Sequence, residues 1–246
     1  MDIGGATWVD VEDRLRHTRR ALIPVGAVEV YGPHLPQGTD GIVAAAIAER
    51  VGRRTGCLVA PLVPVGWSES LASFPGTLSV SPEAVKAYCA AIVASLYRWG
   101  VRCILLLNAH LGNVACLQDL CLEQDRPAED RRLVQIDLWR YIQPFTADLL
   151  GSPSWKFGHA GECMTAVMLH LRPDLVRMER AGRFLPAETA APPGVLAPRP
   201  YREWAPQGFL GDATLATAEA GRQIVERCVE RLAAFLDREF GNDQEA

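Results

Sequence analysis

The sequence predicts an α/β fold in which helices flank a parallel sheet. Short apolar runs alternate with longer segments of helical periodicity, as they do where a crossover helix follows each strand of a parallel sheet. The chain has 246 residues, 49% of them hydrophobic and 22% charged, so one core can form without disulfides or structural metal. The length suits one large domain or two small ones, and we expect a single domain over residues 1–246.

Four apolar runs are predicted to be strands, and five longer patterns are predicted to be helices. The expected strands cover residues 21–25, 57–63, 102–107 and 133–138. The expected helices cover residues 41–54, 82–100, a segment that starts near 113, 162–171 and 214–240.

Capping residues mark the starts of two of these helices. Ser81, Pro82 and Glu83 supply a cap, a proline at the first helical position and an acid in the first turn. Thr39 or Asp40 is placed to cap the helix predicted over residues 41–54.

Residues 185–201 are rich in Pro, Ala and Gly, a composition that sustains neither a helix nor a central strand. A loop of this length in a compact domain is often a lid or a binding loop, although an exposed disordered excursion is the alternative. We expect residues 185–211 to form the lid or binding loop.

Charge and cysteine content exclude several classes of function. The net charge is -4, with no basic block of the kind that binds nucleic acid or an acidic membrane surface. The seven cysteines are odd in number, form no CxxC pair and lie mostly in apolar runs, which is typical of reduced core thiols in a cytoplasmic protein. No apolar leader or membrane span is evident. A small-molecule ligand is therefore expected.

Polar residues follow three of the predicted strands. Ligands bind outside the carboxyl ends of the strands in such sheets, and the loops there carry the following candidates: Glu29, Tyr31, His34 and Asp40 after the first strand, His110 after the third, and Trp155, His159 and Glu162 beyond the fourth. Carboxylates and imidazoles that converge from separate loops suit a hydrolytic Zn²⁺ or Mn²⁺ site. On spacing alone the signal is weak, because acids in loops are usually solvated or capping residues and a histidine after a strand is usually a hydrogen-bonded structural residue.

Five ordered segments together resemble the creatininase (creatinine amidohydrolase) family. They span about residues 7–235 and are more specific in combination than any one alone. The segments are Pro24–Glu29 with Gly32–Pro36 and Gly38–Asp40, then Phe74–Thr77, Asn108–Asn113, His159–Glu162, and Gly211–Asp212 with Ala216–Gly221.

The resemblance implies a creatininase-like three-layer α/β/α sandwich with a mostly parallel sheet, usually hexameric. It implies that Glu29, Asp40 and His110 are metal ligands and that His159 is the catalytic histidine. In relatives with glycine at the position of Gly112, a carboxylate like that of Glu162 completes a second metal site. The position of Trp155 corresponds to an aromatic that packs on the substrate.

Three departures from the family pattern favour one ion over two. Tyr31 replaces a ligand histidine, and a phenol is a poor, high-pKa ligand, so Tyr31 is expected to bind substrate instead. Leu71 and Met164 stand where many relatives have His and Glu. We expect Zn²⁺, with Mn²⁺ or Fe as alternatives, and Glu162 as a fourth ligand or as the base that activates water. His34 is expected to be structural, with a compensating ligand role as the alternative.

The expected function is metal-dependent hydrolysis of an amide or cyclic amide C–N bond in a small molecule by metal-activated water. One alternative is a peptide- or formamide-cleaving enzyme of a biosynthetic pathway. The other is a degenerate, non-catalytic member that binds a small molecule or a partner. A homo-oligomer, hexameric by family analogy, is expected in either case.

Overall fold

The computed structural model describes residues 1–124, 130–186 and 200–241. Its centre is a parallel sheet of four strands in the order β2-β1-β3-β4. The strands are β1 (Arg20–Val25), β2 (Leu58–Val59), β3 (Cys103–Asn108) and β4 (Arg132–Asp137). A short antiparallel pair, β5 (Arg183–Phe184) and β6 (Gly211–Asp212), lies apart from this sheet.

Eight helices are described around these strands. They are α1 (Trp8–Leu15), α2 (Thr39–Thr55), α3 (Pro82–Arg98), α4 (Val114–Gln124), α5 (Leu138–Thr146), α6 (Glu162–Leu171), α7 (Tyr201–Trp204) and α8 (Ala218–Phe240). No described helix combines the length and the apolar composition that crossing a bilayer requires.

Side chains of the central strands alternate between two cores, which confirms the α/β fold with helices on both faces of the sheet. Leu105 and Leu107 pack on one face with α2, α5, α6 and α8. Ile104 and Leu106 pack on the other with α3 and α4. All four side chains are fully buried, and each contributes roughly 1.5–3 kcal/mol of hydrophobic stabilisation.

The second predicted strand is shorter than expected. The apolar run 57–63 forms ladder pairs only at Leu58 and Val59, and its far end makes one isolated bridge from Val63 to Val25. Pro61 interrupts the run and has no N–H to donate to a ladder. The sequence pattern also missed α1 and α5, and α5 carries Pro144 inside the helix.

The predicted cap of α2 is wrong, and the difference bears on the site. Gly38 is the N-cap and provides no side-chain cap, while Thr39 and Asp40 are already helical. Thr39 donates its hydroxyl to the Pro36 carbonyl at 2.6 Å. Asp40 therefore has no capping role, and its carboxylate is available for other contacts.

Close packing of two glycines brings the start of α2 against the end of β1. A Cβ on Gly26 would lie 2.5 Å from the backbone of Gly41, which is closer than real contacts allow. The glycine at this position lets the first turn of α2, with Asp40, approach the carboxyl edge of the sheet.

About half of the predicted lid falls outside the described part of the chain. Residues 187–199 are not described, so the loop expected at 185–211 stays a prediction. The described residues that follow form α7, whose Tyr201 is buried and packs in a small apolar cluster with Val30 and Leu210.

Candidate metal centre

Three side chains from separate elements meet at the carboxyl edge of the sheet. Glu29 comes from the loop after β1, Asp40 from the first turn of α2, and His110 from the loop after β3. His110 Nδ1 lies 3.1 Å from Glu29 Oε2 and 3.3 Å from Asp40 Oδ2. One ligand atom from each lies within 4.8 Å of the others, and all three residues are buried. We call Glu29, Asp40 and His110 the triad.

Asp40 uses only one of its two carboxylate oxygens for hydrogen bonds. Oδ1 accepts from the Tyr31 hydroxyl and from Trp139 Nε1, the latter at 3.2 Å. Oδ2 is buried and has no hydrogen-bond partner among the described residues. A buried carboxylate oxygen without a donor is unfavourable, so Oδ2 is stabilised by a positive charge beside it, either a proton on His110 Nδ1 at 3.3 Å or a bound cation.

The imidazole of His110 is oriented by a backbone carbonyl. Its Nε2 lies 2.9 Å from the Trp67 oxygen, and a carbonyl can only accept, so Nε2 carries the hydrogen. Nδ1 then faces the two carboxylates. A histidine that donates one ring N–H to a carbonyl while the other nitrogen faces acidic groups is the usual arrangement of a metal-ligating histidine.

Gly112 makes the contact between His110 and Trp67 sterically possible. A Cβ at position 112 would fall on the Trp67 carbonyl oxygen and 2.5 Å from His110 Nε2. The glycine after this strand is therefore required by close approach.

Glu29 is held from two sides. The Ser68 hydroxyl donates to Glu29 Oε2 at 2.7 Å. Its other oxygen, Oε1, lies 3.8 Å from His159 Nδ1. His159 Nε2 is 2.6 Å from the Val30 carbonyl and therefore donates to it, which leaves Nδ1 as the free acceptor or proton carrier.

Burial and mutual charge perturb the pKa of every triad member. For His110, burial acts to lower the pKa, but the adjacent carboxylates of Asp40 and Glu29 raise it well above its usual value. Burial acts to raise the pKa of Glu29, but His110 outweighs it and the pKa is lowered. Burial raises the pKa of Asp40, which His110 offsets only in part. Two buried carboxylates around one imidazole thus favour a positive charge between them, either the proton of His110 or a bound cation.

Tyr31 donates its hydroxyl to Asp40. Burial, followed by the charge of Asp40, raises the pKa of the Tyr31 phenol well above its usual value, so it stays a neutral donor. Its one O–H is directed at the carboxylate, but Tyr31 also lines the cavity beside the triad, so its expected substrate-binding role stays a prediction.

A cavity of about 690 Å³ opens over the triad. Aromatic side chains form much of its wall, and a few charged groups are interspersed. The lining includes Trp67, Trp139, Trp155, Tyr201 and Trp204, with Asp137, Arg140 and Lys156 among the charged groups. Leu71 and Met164, two of the departures from the family pattern, also line it.

The backbone around His159 is strained. Trp155 and Ala160 both adopt positive φ angles, of 55° and 51°, which are rare for residues with a side chain. The ring of His159 packs 4.4 Å from Tyr31 and 5.4 Å from Tyr201, measured between centroids. Trp155 and His159 thus lie on the cavity wall where the sequence placed them, and their roles stay predictions.

Glu162 does not join the triad in this structure. Its oxygens accept from the backbone N–H groups of Gly151 and Ser152 at 2.6 and 2.8 Å, and it is not part of the cavity lining. Each carboxylate oxygen thus has a main-chain donor, and the expected role of Glu162 as a fourth ligand or as the base that activates water stays a prediction.

His34 is structural. Its Nε2 lies 2.9 Å from the Thr165 hydroxyl in a buried position, and burial lowers its pKa to about 4. The alternative of a compensating ligand is therefore not supported by its position.

Sequence reasoning missed the residues that orient the ligands. Trp67 and Ser68 belong to a loop without a motif, and this loop is fixed to the site region by the bond from Ser68 N to Ser79 Oγ at 3.0 Å. Trp139 lies in the unpredicted α5. A tryptophan two residues after a buried strand end was the one available signal, because it is placed at the sheet edge where ligands bind.

The donor set fits a divalent ion. Two carboxylates and a neutral imidazole nitrogen match the oxygen and nitrogen preferences of Zn²⁺ and Mn²⁺, and the unpartnered Asp40 Oδ2 supplies a ligand atom that no described protein donor occupies. Within the described residues, the triad is the one such group of three.

Comparison with known proteins gives a consistent result. The creatininase family, described as creatinine amidohydrolase, matches residues 5–236. Creatinine amidohydrolase of Pseudomonas putida is 33% identical over 253 residues, which cover 97% of this chain and 96% of that protein. A mycofactocin precursor peptide peptidase of Mycobacterium ulcerans is 34% identical and covers 87% of this chain and 84% of its own length. The 3-dehydro-scyllo-inosose hydrolase of Thermotoga maritima is 29% identical, with coverage of 94% and 80%.

Solved structures show the same relationship. One described as "Creatininase Mn" superposes with a TM-score of 0.85 at 31% identity, over 97% of this chain and 98% of that one. A creatininase variant described as Zn-Zn type has the same TM-score, identity and coverage.

Proposed function

The chain belongs to the creatininase family of hydrolases, and we propose that it hydrolyses an amide or cyclic amide bond of a small molecule with one divalent ion held by Glu29, Asp40 and His110. The observation that supports this proposal most directly is the geometry of the triad. Three buried ligand atoms lie within 4.8 Å of one another, and the oxygen of Asp40 that faces His110 has no described hydrogen-bond donor.

When bound there, a divalent ion lowers the pKa of a coordinated water toward neutrality and polarises the carbonyl to be attacked. Glu29, Asp40 and His110 would hold it, while Tyr31 and Trp139 donate to Oδ1 of Asp40 and leave its Oδ2 facing His110. The Asp40 oxygen that a second ion would need is thus already occupied by two donors. This supports one ion over two.

His159 is proposed as the proton carrier of the reaction. Its Nε2–H is held by the Val30 carbonyl, and its Nδ1 is on the side of Glu29 and the cavity. Hydrolysis breaks the C–N bond and forms a C–O bond from water, so one water proton must reach the departing nitrogen. Nδ1 accepts that proton and delivers it. Trp155 lines the same cavity and is proposed to pack on the substrate.

The substrate is proposed to be larger than a single small ring, because the cavity measures about 690 Å³. A peptide- or formamide-cleaving reaction is the second candidate, and it is favoured by the similarity to a mycofactocin precursor peptide peptidase.

Zn²⁺ or Mn²⁺ is proposed as the ion, since solved creatininases are described with these metals. A cytoplasmic location and a homo-oligomer, a hexamer by family analogy, remain predictions.

An activity screen tests this proposal directly. Purified protein reconstituted with Zn²⁺ or Mn²⁺ is assayed on a cyclic amide, an N-formyl amine and a dipeptide, with amine release as the readout. We expect hydrolysis of at least one class, loss of activity with a chelator and recovery on adding metal. His159→Gln should lower kcat by about 10²–10⁴-fold with metal content unchanged, while the exposed control His17→Gln should not.

The non-catalytic alternative predicts a different result. A metal-loaded protein that hydrolyses none of the three amide classes would contradict the enzyme proposal. Activity that survives complete metal removal would contradict the assignment of the reaction to the triad.

A further inference from the structure

Tyr201 lines the cavity over the triad, and its hydroxyl contacts no polar group of the described chain. The residue is 8% exposed, and the hydroxyl oxygen is buried without a hydrogen-bond partner among the described residues. A buried hydroxyl in this state is unfavourable. An acceptor that arrives with a ligand would therefore stabilise it.

The ring of Tyr201 is held in place from several sides. It packs edge to face against Trp204 and Phe74, with centroid separations of 5.0 and 6.4 Å. Its helix, α7, is fixed to the loop of Phe74, because Arg202 donates to the Ser73 carbonyl at 3.0 Å and lies over the Phe74 ring. A donor held in this way is preorganised, so little reorganisation is needed when charge develops beside it.

The same ring lies beside the groups proposed to move the proton. Its centroid is 5.4 Å from that of the His159 ring, and His159 Nδ1 lies 3.8 Å from Glu29 Oε1. Burial raises the pKa of the Tyr201 phenol well above its usual value, and the charge of Glu29 adds to this effect. Tyr201 therefore stays neutral and acts as a donor, not as a base.

The side-chain donors that contact the triad are already engaged. The Tyr31 hydroxyl and Trp139 Nε1 both donate to Asp40 Oδ1, and His110 Nε2 donates to a main-chain carbonyl. Two tyrosine hydroxyls are buried in the described cavity lining, those of Tyr31 and Tyr201. Of these two, only the hydroxyl of Tyr201 is free to donate to a ligand.

Amide hydrolysis requires a donor at the atom where negative charge develops. As the water oxygen bonds to the amide carbon, the π electron pair of the carbonyl moves onto the carbonyl oxygen. That pair returns when the C–N bond breaks, and the nitrogen leaves with the proton that His159 delivers. A hydrogen bond that strengthens while the carbonyl oxygen is anionic lowers the barrier.

We propose that Tyr201 is a further catalytic residue, whose hydroxyl donates a hydrogen bond to the carbonyl oxygen of the substrate amide as that oxygen becomes anionic. The hydroxyl proton stays on the phenol throughout. This inference rests on the proposed function, because it takes the amide to bind with its carbonyl between the triad and Tyr201.

Tyr201→Phe tests the inference, because it removes the hydroxyl and keeps the ring that packs on His159 and Trp204. On the amide class that the zinc-loaded wild type hydrolyses, we expect kcat to fall by about 10²–10³-fold, as for the loss of one oxyanion donor. KM should change by less than about threefold, since the hydrogen bond is strongest in the transition state.

Stability separates this role from a structural one. The free energy of unfolding of Tyr201→Phe, measured with urea, should equal or exceed that of the wild type, because the lost O–H has no partner in the described fold. A hydroxyl that served only the fold would give the opposite pattern, a less stable protein with an unchanged kcat.

Ligand binding gives a readout that does not depend on turnover. Phenylphosphonate is a tetrahedral anion, and benzamide is a planar, neutral counterpart with the same ring. In isothermal titration of zinc-loaded protein, Tyr201→Phe should weaken phenylphosphonate binding by about 10–100-fold and benzamide binding by about fivefold or less. Tyr141→Phe is the control, because Tyr141 is partly buried but lies outside the cavity lining. It should change neither kcat nor either affinity.

Any of four results would overturn the inference: a kcat of Tyr201→Phe within about threefold of the wild-type value, no binding of phenylphosphonate to the zinc-loaded wild type, equal losses for the two probes, or the same losses in Tyr141→Phe. Zinc content is measured on the same samples. A wild type that loads no zinc or hydrolyses no amide would contradict the proposed function. Normal zinc loading and hydrolysis by the wild type, with Tyr201→Phe unaffected, would contradict this inference alone.

Discussion

At the scale of single residues, the site depends on atoms that are not ligands. The Trp67 carbonyl fixes which nitrogen of His110 faces the carboxylates, and Tyr31 with Trp139 fixes which oxygen of Asp40 does. Such outer contacts set ligand orientation, and their loss weakens metal binding even when every ligand is retained.

Gly112→Ala is the substitution that tests this dependence. The added Cβ would displace the Trp67 carbonyl from His110, so the metal dissociation constant should rise by about 10–100-fold. Competition with a chromogenic chelator measures it. Gly151→Ala is the control, because a Cβ there meets only Glu162 Oε1 at 3.7 Å. Equal affinities in wild type and Gly112→Ala would show that Trp67 does not orient the ligand.

His34 predicts a pH dependence of stability. Its folded pKa of about 4 lies below the ordinary value of 6.5 because of burial. The unfolded chain therefore binds more protons between these values, and the free energy of unfolding should fall as the pH drops through this window.

In His34→Gln, the protein should be less stable at neutral pH but show a flatter dependence below pH about 6.5, since one titrating group with a pKa near 4 is gone. Urea denaturation across the window measures both slopes. His17→Gln, at an exposed position, should retain the wild-type slope. Parallel slopes for wild type and His34→Gln would exclude this origin of the acid sensitivity.

At the scale of elements, the carboxyl edge of the sheet gathers the site, and α6 organises the loop beside it. Glu162, the first residue of α6, accepts from two main-chain N–H groups of residues 151 and 152. This contact fixes the loop that leads toward Trp155 and His159. The role of Glu162 in this structure is to position that loop.

Glu162→Gln separates the positioning role from the ligand role that the resemblance implied. The amide keeps one acceptor and loses the other, so the free energy of unfolding should fall by about 1–3 kcal/mol while bound metal per chain stays unchanged. Denaturation and metal analysis of the same preparation provide both readouts. The exposed Glu179→Gln is the control. A loss of metal in Glu162→Gln would restore Glu162 to the ligand set.

At the scale of the whole molecule, the sequence predicted the positions of the strands better than the contacts between their side chains. Apolar runs located β1, β3 and β4 to within a residue or two because buried parallel strands are continuously hydrophobic. The run at 57–63 was overextended because Pro61 stops the ladder.

The candidate site, like the fold, was predicted only in part. Glu29 and His110 follow strand ends, where the topology rule expects a ligand, but the family resemblance was needed to single them out together with Asp40 of α2. The contacts of Tyr31 and Glu162 were not foreseeable, because which oxygen meets which donor depends on side-chain direction in three dimensions. Trp67 and Ser68 lie in a loop without a motif, so only the folded chain shows that they meet His110 and Glu29.

Metal stoichiometry is the most direct test of the account. Wild-type protein dialysed against Zn²⁺ or Mn²⁺ and analysed by inductively coupled plasma mass spectrometry should hold one ion per chain, and Glu29→Gln and His110→Ala should each hold far less while remaining folded. The buried but structural His34→Gln should keep the wild-type content. Folded variants of Glu29 and His110 with an undiminished ion count would contradict the account at its base.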